Sequence, residues 1–219
     1  MLQLYYAPGA CSMASHIALE ETGVPYTATP VGLAQGEHLK PEYLNSVNSR
    51  AKVPALRTDD GILTENVAIL TYLARSFPET SIILNHVGGV LGVGPYNNRR
   101  QEILAGWRKD ISELAKSPNV YCKLGGLGMV SVGFDFHERD VPPSSEDLAA
   151  AWRPYVEHCI EAFGVNRCMF ESNFPPDKQS GGYTELWNAF KRITANASAA
   201  DKKALYSGTA AKVYRLTAP

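Results

Sequence analysis

The chain has 219 residues, 45% hydrophobic and 20% charged, with a formal net charge of −1, which suits one large globular domain or two small ones. So balanced a charge gives no electrostatic footing for nucleic acid or an anionic membrane, and no run of about 18 apolar residues or basic leader marks a membrane span or signal peptide. The four cysteines (11, 122, 159 and 168) lie far apart without a CxxC pair, the pattern of reduced thiols in a cytoplasmic protein and not of a disulfide framework.

LQLYY (2–6) reads as a short strand broken by Pro8-Gly9. Met13, Ile17, Ala18 and Leu19 share one face of a helix from Ser12 to Thr22, with Ser12 as its N-cap and Gly23 just past its end. A strand is expected near Tyr26–Val31 and a short helix around Pro41–Leu44. Val53–Arg57 and Ile62–Leu63 read as a hairpin joined through Asp60-Gly61. Thr64 caps a helix from Glu65 to about Ser76 whose apolar face is Val67, Ile69, Leu70 and Leu73. The order is β-α-β-α-β-β-α.

From Ser81 the rhythm changes. SIIL, VYCKL and RCMF are continuous apolar runs, as expected of parallel strands buried on both faces. Helices are expected between and after them, at Asn98–Ser117, Ser145–Phe163, Tyr183–Ala195 and Ala199–Tyr214. This is a run of βα units, joined to the first half through the short seam RSFPETS (75–81).

With KVPAL (52–56) before ILTEN (62–66), and with the opening YYAPGACSMASHIALEETG, residues 1–80 resemble the thioredoxin-like domain of bacterial beta-class glutathione transferases. The resemblance implies a cis Val53-Pro54 bond, with the Val53 backbone docking the cysteinyl part of glutathione. It places Glu65 and Asn66 at the γ-glutamyl end, at a helix N-terminus suited to a carboxylate, and Lys52 near the glycyl carboxylate. Cys11 sits just before the first helix, a position that supports thiolate chemistry or a mixed disulfide with glutathione; the alternative is a small residue filling a helix start. For Glu65 the alternative is helix-start electrostatics. The all-helical domain that normally follows in this family is missing.

SIILNHVGGVLGVGPY, NVYCKLGGLGM, FGVNRCMFESNFPPDK and SGTAAKVYRL resemble the C-terminal part of an amidohydrolase-related, lactonase-like metal-dependent hydrolase, a (β/α)₈ barrel with its chemistry at strand C-terminal ends. Residues 81–219 then supply about three βα units, with five strands absent. The expected fold is α/β: a thioredoxin-like domain followed by a partial (β/α) barrel. His86, Lys123 and Glu171–Asn173 fall at or past strand ends. The chain contains no HxH pair, and Asn173 stands where the superfamily has an acid–base aspartate; a neutral amide is neither a general base nor a good ligand. No metal is therefore expected, and His86 is at most a vestigial ligand that hydrogen-bonds locally.

GGVLGVG matches no nucleotide-loop pattern and reads as a plain loop. His137-Glu138 is placed to line a substrate pocket in a whole barrel. Cys122, Cys168 and the His158-Cys159 pair read as packing. The leading reading is a glutathione-binding, transferase-like protein with Cys11 as its thiol centre. The alternatives are a hydrolase fragment needing the missing strands and a non-catalytic fusion or interaction protein. Open barrel edges are expected to promote self-association, with Cys122, Leu124, Met169 and Phe170 left on an uncovered face.

Overall fold

The structure is a computed structural model that describes residues 1–217. Its contacts divide into two compact units, Met1–Ile82 and the chain from Ile83 onward. Each carries one sheet, so the whole is a mixed α/β chain. Among the described residues no helix is long and apolar enough to cross a membrane.

In the first unit β1 (Leu2–Tyr6), α1 (Met13–Thr22) and β2 (Tyr26–Pro30) form a β-α-β crossover, with β1 and β2 parallel. After α2 (Pro41–Ser46), β3 (Ala55–Thr58) and β4 (Gly61–Thr64) make an antiparallel hairpin, and the sheet order is β2-β1-β3-β4. Strand β3 runs antiparallel to β1 and sets Leu56 opposite Leu4, both fully buried. It begins two residues later than expected because Pro54 has no N–H to give a ladder. The Val53-Pro54 bond is cis.

Three local expectations are corrected. Ser12 does not cap α1: its hydroxyl accepts from the Ala7 N–H (3.0 Å) and donates to the Ala7 carbonyl (3.1 Å), tying the end of β1 to the start of the helix. Met13 and Ile17 are exposed, and α1 instead buries Ser15, Ala18 and Leu19. Thr64 ends β4, so α3 (Asn66–Ser76) is entered through Glu65 at φ 73, and it buries Ile69, Leu70, Leu73 and Ala74 while Val67 stays at the surface.

In the second unit β5 (Ile82–Leu84), β6 (Val120–Leu124) and β7 (Cys168–Phe170) form a sheet in that order, with β6 and β7 parallel. Helix α4 (Arg100–Leu114) leads to β6, and α5 (Ser145–Phe163) leads to β7. Helix α5 starts from a capping box, as Ser144 and Asp147 satisfy each other's N–H groups. Helix α6 (Tyr183–Ile193) packs on α5 through Phe190 and Trp152. The expected helix at 199–214 is broken into α7 (Ala199–Lys203), a wider π turn at Ala204–Gly208, and α8 (Thr209–Val213).

The expectation that Cys122, Leu124, Met169 and Phe170 lie uncovered is also corrected, for they are 0%, 0%, 2% and 8% exposed. Side chains alternate along a strand, and the β6–β7 register pairs Cys122 with Cys168 and Leu124 with Phe170. This face looks onto the helices: the Cys168 thiol donates to the Cys159 carbonyl of α5 at 3.5 Å, and the Phe170 ring stacks on Phe190 of α6 at 4.5 Å. Tyr121 and Lys123 occupy the other face, met by Lys212 and Tyr214 from the C-terminal segment.

Candidate functional site

In the first unit the sequence-derived candidates meet around one loop. Cys11 is exposed, and its thiol donates to the Val53 carbonyl at 3.6 Å. The loop before Val53 is built by two residues that sequence reasoning passed over. Buried Asn48 donates to the Lys52 carbonyl (2.9 Å) and accepts from the Arg50 N–H (3.0 Å), and the Tyr43 hydroxyl donates to the same Lys52 carbonyl at 2.7 Å. With its carbonyl held from behind, Lys52 leaves its ammonium chain in solvent.

Asn66 works as a tie. Its amide donates to the Cys11 carbonyl (2.8 Å) and accepts from the Ser15 hydroxyl (2.7 Å), fixing the thiol loop to the start of α3. Glu65 precedes it in the left-handed half of conformational space, where a residue with a Cβ is uncommon. Its carboxylate is more than half exposed, 3.6 Å from Arg50. Arg50, a cation beside the carboxylate, was not among the sequence candidates and lies only two residues before Lys52.

In the second unit the three strands deliver a different arrangement. His86 stands past β5, Lys123 in β6 and Glu171 just past β7. The Glu171 carboxylate accepts from the His86 N–H (3.2 Å), lies 2.5 Å from His86 Nδ1, and is 3.6 Å from Lys123 Nζ. Gly125 and Gly126, in the KLGG run, make room for it. A Cβ on Gly125 would come within 2.4 Å of Glu171, and one on Gly126 within 2.6 Å of His86. That doublet was the available signal for how tightly the cluster is packed.

The charges stabilise one another. The hydrogen bond with Glu171 outweighs burial and holds His86 above the usual imidazole range. For Glu171 burial acts to raise the pKa, but His86 and Lys123 together leave it below the usual carboxylate range. Burial likewise acts to lower Lys123, and the Tyr214 side chain and Glu171 overcome it, so Lys123 stands higher than a free lysine. Beneath them Asp177 is buried, accepting from the Asn173 amide (2.6 Å) and the Gly128 N–H (3.2 Å), and burial pushes it up to about 6.

His86 therefore hydrogen-bonds locally, to Glu171. Among the described residues no three His, Cys, Asp or Glu side chains are grouped so as to hold a metal ion. The donor set at the strand ends holds one imidazole, His86, whose Nδ1 bonds Glu171, and one neutral amide, Asn173, a poor ligand. These residues do not fit the metal of a metal-dependent hydrolase. Cys122, Cys159 and Cys168 are buried free thiols. His158 sits between the Ser112 hydroxyl and the Arg108 carbonyl, and His137 lines a surface cleft of the second unit.

Comparison with known proteins supports both halves. Glutathione S-transferase GstA of Escherichia coli O157:H7 is 45% identical over 83 residues, 37% of this chain and 41% of the relative. A Sinorhizobium fredii protein described as "Uncharacterized protein y4mH" is 44% identical over 144 residues, 66% of this chain and 42% of the relative. The chain thus spans about two fifths of the length of these curated relatives. A crystal structure of an amidohydrolase from Burkholderia multivorans with bound HEPES superposes with a TM-score of 0.58 at 27% identity, over 69% of this chain and 50% of that one. The sequence model of the amidohydrolase family matches residues 18–216. The chain belongs to that amidohydrolase family, and in its first segment it is also similar to glutathione S-transferases.

Proposed function

We propose that residues 1–80 form a glutathione-binding, thioredoxin-like domain in which Cys11 is the reactive thiol. The observation that carries this reading is the meeting of an exposed thiol with the Val53 carbonyl, 3.6 Å apart, beside the free N-terminal turn of α3. The peptide of glutathione docks on the Val53 backbone next to Pro54, its γ-glutamyl end meets Glu65 and the first N–H groups of α3, and Lys52 answers its glycyl carboxylate. Asn66 positions the Cys11 loop more than it touches the ligand, because both ends of its amide are already engaged. With oxidised glutathione, the Cys11 thiolate attacks one sulfur, forms a mixed disulfide and releases one reduced glutathione. Incubation with oxidised glutathione followed by mass spectrometry tests this: one glutathionyl adduct per chain is expected, absent in Cys11→Ser. No adduct, or an adduct that persists in that variant, refutes it.

Residues 81–219 are read as about three βα units of an amidohydrolase-type barrel, without a catalytic metal. The second reading of the whole chain, a hydrolase part that acts once other strands complete it, draws on the family match over residues 18–216. The self-neutralised His86–Glu171–Lys123 cluster disfavours it for the chain alone. Pairing through the short edge strands β5 and β7 remains the expected route of self-association. Light scattering across a concentration series tests that route, and a constant monomer mass excludes it.

A further inference from the structure

In the first unit Ala51 separates two exposed cations, Arg50 and Lys52, and sits at φ 55, in the left-handed region where a residue with a Cβ is uncommon. Asn48 holds this turn from inside. Its side chain accepts from the Arg50 N–H (3.0 Å) and donates to the Lys52 carbonyl (2.9 Å), and its carbonyl accepts from the Ala51 N–H (3.0 Å). A conformation of that kind persists where its surroundings over-determine it, and here it delivers Arg50 to the side of Glu65. We propose that Arg50 is a specificity-determining residue of this site: its guanidinium takes the α-carboxylate of a γ-glutamyl ligand, while Glu65 takes the α-ammonium on the same carbon. The assignment rests on the glutathione reading and gives a full opposite charge to the one carboxylate that the reading leaves to backbone N–H groups.

The pairing of charges carries the argument. Arg50, Lys52 and Glu65 present two cations and one anion, and glutathione at neutral pH carries the inverse set, two carboxylates and one ammonium. With Lys52 at the glycyl carboxylate and Glu65 at the ammonium, the second carboxylate meets only the start of α3, which supplies about half a charge. Arg50 is the cation left over, and it stands where the ligand requires one. Because the ammonium and the α-carboxylate share a carbon, the cation that answers the carboxylate has to lie beside the anion that answers the ammonium. Arg50 Nη1 is 3.6 Å from Glu65 Oε1, longer than the roughly 2.7–2.9 Å of a formed charge-assisted bond. The two side chains are 71% and 54% exposed, so the pair is loose and yields at little cost. A guanidinium has several N–H donors in a planar fork, so one edge can hold a ligand carboxylate while another still faces Glu65.

The test is titration calorimetry on the full chain with two probes, reduced glutathione and γ-aminobutyryl-cysteinyl-glycine, the same peptide without its α-carboxylate. Arg50→Gln should weaken glutathione about fivefold or more and leave the decarboxylated peptide unchanged, since a lost charge-assisted bond shows only with the ligand that makes it. Lys52→Gln should weaken both probes alike, because both keep the glycyl carboxylate. Both side chains are exposed, and matching circular dichroism will establish that the variants fold. If Arg50→Gln binds glutathione as the native chain does, or weakens both probes equally, Arg50 contributes at most a general positive potential and the assignment is overturned while the glutathione reading stands. If the native chain binds neither probe, the glutathione reading fails and the assignment fails with it.

Discussion

The two units handle polar groups in opposite ways. Around Cys11 the supporting groups are satisfied from behind: Ser12 bonds Ala7, Asn66 bonds the Cys11 carbonyl, and Asn48 and Tyr43 bond the Lys52 carbonyl. What faces outward, the Cys11 thiol with the Lys52 and Glu65 side chains, is left to solvent or to a ligand. At the strand ends of the second unit the charged groups face each other. Glu171 sits between His86 and Lys123, and Asp177 is held by Asn173 and Gly128. A site that fixes its backbone and holds its functional groups at the surface only by long contacts, Cys11 to the Val53 carbonyl and Glu65 to Arg50, is ready to bind. A cluster that neutralises itself contributes to stability instead, and a ligand there would have to displace protein groups first.

The contrast is sharpest for the cysteines. Alkylation of the native chain with iodoacetamide should modify Cys11 alone, because Cys122, Cys159 and Cys168 are buried and burial pushes the Cys168 thiol far up. Mass spectrometry should show one adduct per native chain and four after unfolding. Cys11→Ser should abolish the native adduct, and labelling of a second thiol before unfolding would mean that the second unit is loosely packed.

The packing of that unit can be attacked directly. Phe190 is fully buried, stacked on Phe170 and in contact with Trp152 and Trp187. Phe190→Ala should cost about 3–5 kcal/mol. All three tryptophans (107, 152 and 187) lie beyond residue 82, so tryptophan fluorescence in a urea titration reports this unit alone. A loss below about 1 kcal/mol would show that the helix layer does not hold the sheet.

Two glutamate substitutions compare the sites on one scale. Glu171→Gln removes the carboxylate that His86 and Lys123 share, and a loss of about 1.5–3 kcal/mol is expected. Glu65→Gln touches an exposed pair with Arg50 at 3.6 Å, of a kind worth about 0–1 kcal/mol, and should leave stability nearly unchanged while weakening glutathione binding. Equal effects of the two changes on unfolding would erase the distinction between an open site and a self-satisfied one.

Much of this was legible in the sequence, for reasons that differ by element. The continuous apolar runs at VYCKL and RCMF located β6 and β7, and the amphipathic stretch at Ser145–Phe163 located α5. The cis bond before Pro54 followed from a family likeness and from no local pattern. What stayed hidden depends on contacts far apart in the chain. Alternation alone does not say which face of β6 meets helices, so Cys122 and Leu124 were assigned to the wrong side. Ser12 looked like a cap until the Ala7 backbone, five residues back, competed for its hydroxyl. The partnership of His86 with Glu171 spans 85 residues, and only the glycine doublet at 125–126 hinted at it.

The smallest expected effect concerns Asp177, and its sign is fixed by burial. With its folded-state pKa pushed up to about 6, this carboxyl holds its proton more tightly in the folded chain than in the unfolded one. Its contribution is fully present below the ordinary aspartate value of 3.8 and is lost as pH rises through about 6. Glu171, held low, works the other way, since its contribution is present above the ordinary glutamate range and is lost as pH falls. The slope of the whole protein between about pH 4 and 6 therefore mixes opposing terms, and only a difference isolates Asp177. In Asp177→Asn one donor now faces the Gly128 N–H or the Asn173 amide, which lowers stability by an amount independent of pH and does not confuse the slope. Urea midpoints for both chains across that range should show the advantage of the native protein over the variant shrinking as pH rises. A difference that stays flat, or that grows with pH, would mean that Asp177 is ionised in the folded state at pH 4 and that the Asn173 and Gly128 hydrogen bonds outweigh its burial.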